Sequence, residues 1–203
     1  MDTLKLQKGA DAVLERLTRA MDTGGGVHPQ SLVCALGTLA GYGCQEDTRI
    51  VYMKQKGLAE DVVFNVMQDK QGNRFFFGDL LNEPLVNQPY CVWSMIGGAV
   101  NKAGGRLPDL NDIIRYVSFV AGSERFGVVR NCDTGMTVTE YLSQLWTPMK
   151  ELAYSFCEEG QLHILFGIAL QKAVYLCRDS ADITECARVA MESAAFASKT
   201  DRK

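Results

Sequence analysis

Five carboxylate and amide side chains follow the most aromatic stretch of the chain, at positions 75 to 77. They are Asp79, Asn82, Glu83, Asn87 and Gln88, and the aromatic residues Phe77 and Trp93 bound them. A carboxyl group held against aromatic surface can have a raised pKa, and it can then serve as a base or orient a ligand. If the chain has a polar pocket, the sequence predicts it here. Asp79 is alternatively interpreted as a helix cap, a role for which aspartate is among the preferred residues.

The cysteines and histidines give little support for zinc or nucleophilic chemistry. The chain has seven cysteines and two histidines, and its closest cysteine pair is Cys177 and Cys186. Zinc sites need more closely spaced ligands, so no metal is predicted. A cysteine nucleophile needs a nearby base, and the best pairing that the sequence offers is Cys44 with His28. Free cysteine usually fills an apolar core, and His163 is interpreted as a helix-end histidine that is packed or hydrogen-bonded to the backbone.

Glycine-rich segments are the remaining candidates for a binding motif. Gly24-Gly25-Gly26 precedes His28-Pro29 and a predicted helix, a geometry that can hold an anion. It lacks the Lys-Ser/Thr pair of a phosphate-binding loop and does not follow a strand. It is therefore interpreted as a connector. Nucleophile-elbow, zinc-protease and kinase motifs are absent from the sequence, so neither catalytic residues nor a cofactor are predicted.

A β-hairpin at positions 62 to 79 would position the polar segment. Residues 62 to 67 alternate as in a strand, Asp69-Lys70-Gln71-Gly72 has turn chemistry, and Arg74 to Phe77 form the returning strand. A lone two-stranded ribbon is marginal in water, so it must gain helices, a further strand or a second chain. Positions 126 to 130 could supply the third strand. Because Phe75, Phe76 and Phe77 point to both faces, both faces need cover.

The rest of the chain is predicted to be mainly helical. The apolar periodicity predicts helices over about 6–21, 30–42, 89–103, 110–120, 139–146, 162–177 and 183–197. Thr147-Pro148 is expected to restart or kink the chain into a helix that ends at Phe156. Positions 50 to 53 fit a strand or a helix. The predicted fold class is α+β, mainly α-helical, with about seven or eight helices around a small antiparallel β-hairpin or three-stranded sheet. A purely helical bundle is the alternative, and residues 1–203 are expected to form a single globular domain with a possible boundary near 130–137.

Composition and charge narrow the class of protein. The chain is 47% hydrophobic and 22% charged, with a formal charge of −3 and no basic run, so nucleic-acid binding is not expected. The first residues contain no signal-peptide core, and the apolar stretch at 162–176 is too short for a bilayer. Cysteines on apolar helix faces, in odd number, indicate reduced thiols. These features predict a soluble cytoplasmic protein without a membrane role.

The leading functional hypothesis from the sequence is a non-catalytic protein that acts through association. It would form a homodimer or a protein-interaction module, with Phe75, Phe76 and Phe77 at the interface and β-strand edges available for pairing. The alternative is a small-molecule-binding protein, or an enzyme of unrecognised type, with its pocket near Asp79, Glu83 and Trp93. A third possibility is an adaptor that uses an exposed face of the apolar helix at 162–177.

Overall fold

Helices account for most of residues 1–202, the part of the chain that the computed structural model describes. The α-helices are α1 (Thr3–Met21), α2 (Pro29–Thr48), α3 (Glu60–Val63), α4 (Asp79–Asn82), α5 (Val92–Lys102), α6 (Leu110–Phe119), α7 (Val138–Tyr154), α8 (Leu162–Leu176) and α9 (Ile183–Lys199). Two π-helical segments, Arg49–Gln55 and Glu83–Asn87, and one 3₁₀ turn, Cys177–Asp179, extend them. The strands β1 (Asn65–Gln68) and β2 (Arg74–Phe77) form an antiparallel pair. The predicted mainly helical α+β class is therefore confirmed.

Helix α2 lies at the centre of the fold and packs against both α8 and α9. Its residues are buried from Val33 to Gln45, on every side of the helix. Glycine makes this close packing possible, because a Cβ atom on Gly41 would lie 2.0 Å from the carbonyl oxygen of Ala194. A Cβ atom on Gly37 would likewise lie 2.5 Å from the carbonyl oxygen of Ala190. The small residues of α2 thus let two helix backbones approach to direct contact.

The chain continues as helix well beyond the predicted end of α2 near position 42. Helix α2 extends to Thr48, and the π-helical segment Arg49–Gln55 follows without a break, so positions 50 to 53 are helical. Tertiary contacts explain this result better than local propensity does. The side-chain amide of Gln45 donates hydrogen bonds to the carbonyl oxygens of Ser198 (2.8 Å) and Thr200 (3.1 Å), which ties the extended helix to the end of α9.

The hairpin is shorter than predicted on its first strand. β1 begins at Asn65, whereas Val63 ends the single-turn helix α3. Glu60 and Asp61 occupy the first turn of α3, where acidic side chains interact favourably with the helix dipole. The predicted turn is present, because the Asp69 carboxylate accepts hydrogen bonds from the backbone N–H groups at positions 71 and 73 (both 2.9 Å).

Both faces of β2 are covered within the chain. On one face, the ring of Phe76 is completely buried, lies 5.3 Å from the ring of Phe64 and is overlain by the Arg49 guanidinium at 4.4 Å. On the other face, Phe75 is 6% exposed and meets the edge of the Phe126 ring at 4.7 Å. Phe77 is half-buried. The sequence predicts that both faces of this strand are covered, and residues of the same chain cover them.

The predicted third strand at 126–130 is wrong. Gly127 has a φ of +86°, which breaks the extended conformation, and the backbone N–H of Arg130 donates to the Glu192 carboxylate (3.0 Å) instead of to a strand. A single antiparallel bridge between Phe75 and Thr200 takes its place beside β2. Only the end of α9, and not the predicted segment, thus adds backbone pairing to the hairpin.

The polar stretch at 130–137 is fixed to the helical core. Arg130 donates from Nε to the fully buried carboxylate of Glu192 (2.7 Å) and from Nη2 to Asp112 (2.8 Å). Arg188, one turn before Glu192 on α9, lies 3.1 Å from the same carboxylate. The negative charge of Glu192 is thus balanced by two guanidinium groups, as a buried charge requires.

The apolar helix α8 is a core element. It is buried over most of its surface and contacts α1, α2 and α5. Its 15 residues span about 22 Å at about 1.5 Å per residue. None of the helices within residues 1–202 combines the length and the hydrophobicity that a bilayer crossing demands.

Candidate functional site

The predicted polar segment does not converge as a whole. Asp79 is exposed at the first position of α4, where Gly78 is the cap residue, so the interpretation of Asp79 as a helix cap is wrong. Asn87 is also exposed, and Asn82 is half-buried. The half-buried rings of Phe77 and Trp93 do not line the cavity described next.

A cavity of about 140 Å³ lies at the junction of α2, α8 and the π-helical segments. Its lining residues come from three parts of the chain that are distant in sequence, and we call it the Asp47–His163 pocket. They are Asp47, Thr48, Val51, Tyr52, Glu83, Pro84, Gln88, Gly160 and His163. Two residues of the predicted polar segment, Glu83 and Gln88, are thus brought together here. Their ligand-binding role remains a prediction.

A carboxylate–imidazole pair occupies one wall of this pocket. Asp47, near the end of α2, is 3% exposed, and His163 is buried in the first turn of α8. One carboxylate oxygen, Oδ2, accepts both the His163 backbone N–H (2.8 Å) and its ring Nδ1–H (2.7 Å). The cap residue of α8, Gln161, makes no side-chain cap bond, so Asp47 stabilises the helix N-terminus from another helix.

The hydrogen bonds around His163 define its tautomer. A carboxylate only accepts hydrogen bonds, so Nδ1 must carry the proton that faces Asp47. In the neutral ring, Nε2 then has a free electron pair, and the side-chain nitrogen of Gln88 lies 3.1 Å from it. The Gln88 amide therefore donates to Nε2. This orientation by a carboxylate is the arrangement that prepares a histidine to accept a proton.

A tyrosine–glutamate pair forms a second polar wall. The Tyr52 hydroxyl donates to Oε2 of Glu83 at 2.6 Å. This hydrogen bond, with burial and the negative charge of Glu83, raises the pKa of Tyr52 to about 12. Tyr52 therefore keeps its proton near neutral pH. The Lys56 ammonium lies 4.2 Å from the centre of the Tyr52 ring, and Lys56 is exposed.

One buried oxygen of the pocket has no hydrogen-bond partner among the described residues. Oδ1 of Asp47 is fully enclosed but accepts no hydrogen bond, although Oδ2 of the same carboxylate accepts two. Buried polar atoms nearly always have a partner, so this oxygen is an acceptor that the described residues leave unsatisfied. Residues 1–202 contain no group of three or more metal-ligating side chains placed to hold an ion.

A larger cavity, of about 600 Å³, lies between the hairpin turn and residues 122–126. Its charged residues are at least partly exposed, and two are already engaged: Asp69 within its own turn and Arg74 with Glu60. It has no buried polar atom that needs a partner. The smaller pocket is therefore the better candidate site.

Seven of the nine lining residues are not among the site residues predicted from the sequence, and three of the seven form the polar contacts described above: Asp47, Tyr52 and His163. Asp47 and His163 are 116 positions apart, so no local motif connects them. The available signal was the polar run from Gln45 to Thr48 inside an otherwise apolar helix. The pairing of Cys44 with His28 does not form, because Cys44 is fully buried and His28 is exposed at the opposite end of α2. Burial also raises the pKa of the Cys44 thiol, which makes it a poor nucleophile.

The Asp47–His163 pocket can bind a small polar molecule and exchange a proton with it. His163 supplies the basic nitrogen, Asp47 and Glu83 supply carboxylate oxygens, and the Gln88 amide bonds the ring from the pocket side. Thr48 is no candidate nucleophile, because its hydroxyl donates to the Cys44 carbonyl (2.7 Å). A scan against protein-family models, a search of curated proteins and a search of solved structures found no match for this chain.

Proposed function

We propose that the protein binds a small polar molecule in the Asp47–His163 pocket, and that His163 accepts a proton from it. The observation that supports this proposal is the convergence of polar side chains from separate segments on one cavity. Asp47 comes from α2, Glu83 and Gln88 come from the segment before α5, and His163 comes from α8. Functional pockets typically carry a few precisely placed polar groups that fix the orientation of a ligand.

The pocket volume limits the ligand. Sites for drug-sized molecules measure roughly 300–1,000 Å³, well above the 140 Å³ of this pocket. An apolar cavity of about 150 Å³ in another protein holds a molecule the size of benzene. The ligand, or the part of it that enters, therefore has about six non-hydrogen atoms or fewer.

The chemistry of the pocket favours proton transfer over covalent catalysis. A histidine oriented by a carboxylate is the most common general base, and general-base catalysis contributes about 10²- to 10⁴-fold to a rate. No cysteine or serine lines the pocket, and the hydroxyl of Thr48 is engaged elsewhere. A reaction at this site would begin with removal of a proton by Nε2 of His163, with the Gln88 amide displaced from that nitrogen.

The two histidines allow a direct test by NMR. We expect a small molecule that enters the pocket to shift the ring signals of His163 saturably, in a titration with cationic, neutral and anionic molecules of about four to six non-hydrogen atoms. His28 is the internal control, because it lies about 28 Å away along α2 at about 1.5 Å per residue. If no member of the panel shifts the His163 signals, the proposed function is wrong.

A cavity-filling variant identifies the site of binding. Val51→Phe places a larger side chain on the pocket wall, and we expect it to abolish the shift of the His163 signals. Val62→Phe is the matched control, because Val62 is exposed and does not line the pocket. Equal binding by wild type and Val51→Phe would place the ligand elsewhere and contradict the proposal.

Association as a homodimer is a second candidate function, and the surface that supports it is the edge of β1 instead of the three phenylalanines. Phe75 and Phe76 are covered by their own chain and offer little surface to another. In contrast, β1 is exposed along its whole length, with Val66 39% and Met67 41% exposed, and its outer edge pairs with no described residue. Such an edge can pair with the same edge of a second copy.

Light scattering at micromolar concentration tests this candidate. We expect a dimer for the wild type and a monomer for Val66→Lys, because a lysine on an exposed strand edge blocks pairing between edges. Val62→Lys, on the exposed side of α3, is the control and should remain dimeric. A monomeric wild type would rule out the dimer.

A further inference from the structure

We infer that the ligand of the Asp47–His163 pocket is an organic cation that carries N–H donors, such as an amidinium, guanidinium or ammonium group. This inference rests on the proposed function and specifies its ligand class; the proton that His163 accepts would come from an O–H or C–H group beside the cationic centre, because carboxylates that bind the N–H groups of a cation stabilise its protonated form. Three features support it: the unused acceptors of the pocket, the engagement of its donors, and its unbalanced negative charge.

The pocket has free hydrogen-bond acceptors. Oδ1 of Asp47 is buried and accepts no hydrogen bond. Glu83 uses only Oε2, toward Tyr52, and its Oε1 takes part in no hydrogen bond with the described residues. The amide oxygen of Gln88 is likewise free, because the amide meets His163 through its nitrogen. A complementary ligand must therefore present several donors.

The donors of the pocket, in contrast, are almost all engaged. The Tyr52 hydroxyl donates to Glu83, the Thr48 hydroxyl donates to a backbone carbonyl, and the ring Nδ1–H of His163 donates to Asp47. Among the side chains that line the pocket, the second N–H of the Gln88 amide remains for a ligand. A ligand that mainly accepts hydrogen bonds, such as a carboxylate, would find few partners here.

The negative charge of the pocket also favours a cationic ligand. Asp47 and Glu83 are both acidic, and neither forms an ion pair with any lysine or arginine in residues 1–202; the basic group that contacts Asp47 is the His163 imidazole. Of the nearby cations, Lys54 pairs with Glu159 and Arg49 pairs with Glu60, whereas the exposed Lys56 ammonium lies over the Tyr52 ring and forms no ion pair with the described residues. A buried carboxylate without a cation is costly, so a cationic ligand would offset this cost. An anionic ligand would add a further negative charge.

The effect of ligand charge on binding can be measured with three molecules of the same shape. Acetamidinium is cationic, acetamide is neutral and acetate is anionic. Each is small enough for the pocket, and an amidinium can donate two parallel hydrogen bonds to carboxylate oxygens. Titrations followed at the His163 ring signals, at constant ionic strength with sodium chloride, measure the dissociation constant of each. We expect acetamidinium to bind at least tenfold more tightly than acetamide, and acetate to give no saturable shift.

Variants of the two carboxylates locate the interaction. Asp47→Asn keeps the shape of the side chain but removes its charge, and we expect it to weaken acetamidinium binding at least tenfold. Glu83→Gln should weaken binding severalfold, and it provides the measurement if Asp47→Asn fails to fold. Asp79→Asn is the matched control, because Asp79 is exposed outside the pocket and its replacement should leave binding unchanged.

The outcomes separate this inference from the proposed function. Binding of acetamide or acetate as tight as that of acetamidinium would overturn the cation assignment but leave a functional pocket. Acetamidinium binding that survives both carboxylate substitutions would also overturn the assignment, because the cation would then bind elsewhere. The cation assignment would also be overturned if the only molecules that shift the His163 signals were neutral or anionic ones. Failure of every molecule to shift the His163 signals would overturn the inference together with the proposed function.

Discussion

Gly41→Ala is expected to lower the free energy of unfolding by roughly 3 kcal/mol, the upper part of the range for overpacking a core. The added Cβ atom would lie 2.0 Å from the carbonyl oxygen of Ala194 and 2.6 Å from the adjoining carbonyl carbon and Cα atom. All three are backbone atoms of α9, so no side-chain rotation can relieve the overlap. The helices α2 and α9 must move apart, and urea denaturation at 25 °C measures the result.

The control for this prediction is Gly25→Ala. Nothing lies within 4 Å of a Cβ atom at Gly25, so we expect a change within about 0.5 kcal/mol. The sign of the change in unfolding free energy at Gly41 is informative, because alanine in a helix without steric conflict is favoured over glycine by about 1 kcal/mol. A Gly41→Ala protein as stable as the wild type, or more stable, would contradict the direct contact between the two helix backbones.

Lys199→Met is expected to raise the free energy of unfolding at pH 7 by about 3 kcal/mol. Lys199 is 2% exposed in the last turn of α9, and its ammonium lies 5.3 Å from the centre of the Phe77 ring. No carboxylate among the described residues pairs with it. Burial therefore lowers its pKa from 10.5 to about 8, a difference that corresponds to about 3 kcal/mol of destabilisation of the charged form.

The pH dependence of this effect follows from the same pKa. Below pH 8, the lysine is charged in both the folded and unfolded states, and the folded state bears the full desolvation cost. Between pH 8 and 10.5, the folded state loses the proton first, so the unfolded state binds more protons and the stability of the wild type rises relative to Lys199→Met. Above pH 10.5, both states are neutral and the difference has disappeared.

Urea denaturation of both proteins at several pH values measures this difference directly. Because other groups titrate equally in the two proteins, their contributions cancel in the comparison. Lys8→Met is the control, since Lys8 is exposed on α1 and its replacement should give a small difference that does not change with pH. A Lys199→Met protein less stable than the wild type at pH 7 would show that the ammonium is stabilised in the folded state.

The residues of the candidate site show which parts of a pocket can be predicted from the sequence and which cannot. Glu83 and Gln88 belong to the set of pocket residues that the sequence predicts, and both residues line the pocket. Asp79 and Asn87 belong to the same predicted set but are exposed, because a short helical segment directs neighbouring side chains to different sides. Asp47 and His163 were missed, since their hydrogen bond exists only where α2 meets α8.

The elements of the fold also divide into those that local sequence patterns predict and those that they do not. Helix α1 was predicted from its apolar periodicity, and the hairpin turn was predicted from the residues around Asp69. Local patterns fit both a strand and a helix at residues 50 to 53, and the structure continues helix α2 there. Local patterns failed at Val62 and Val63, which end a helix before the first strand.

The amino-acid sequence by itself determined the mainly helical class, the position of the hairpin turn and the need to cover the three phenylalanines. These properties follow from periodicity, turn chemistry and side-chain direction, which act between residues close together in the chain. Only the tertiary structure decided that the chain's own residues cover Phe75 and Phe76, and that Asp47 orients His163. The physical reason is that these contacts join residues far apart in sequence, whose meeting depends on how α2, α8 and α9 pack.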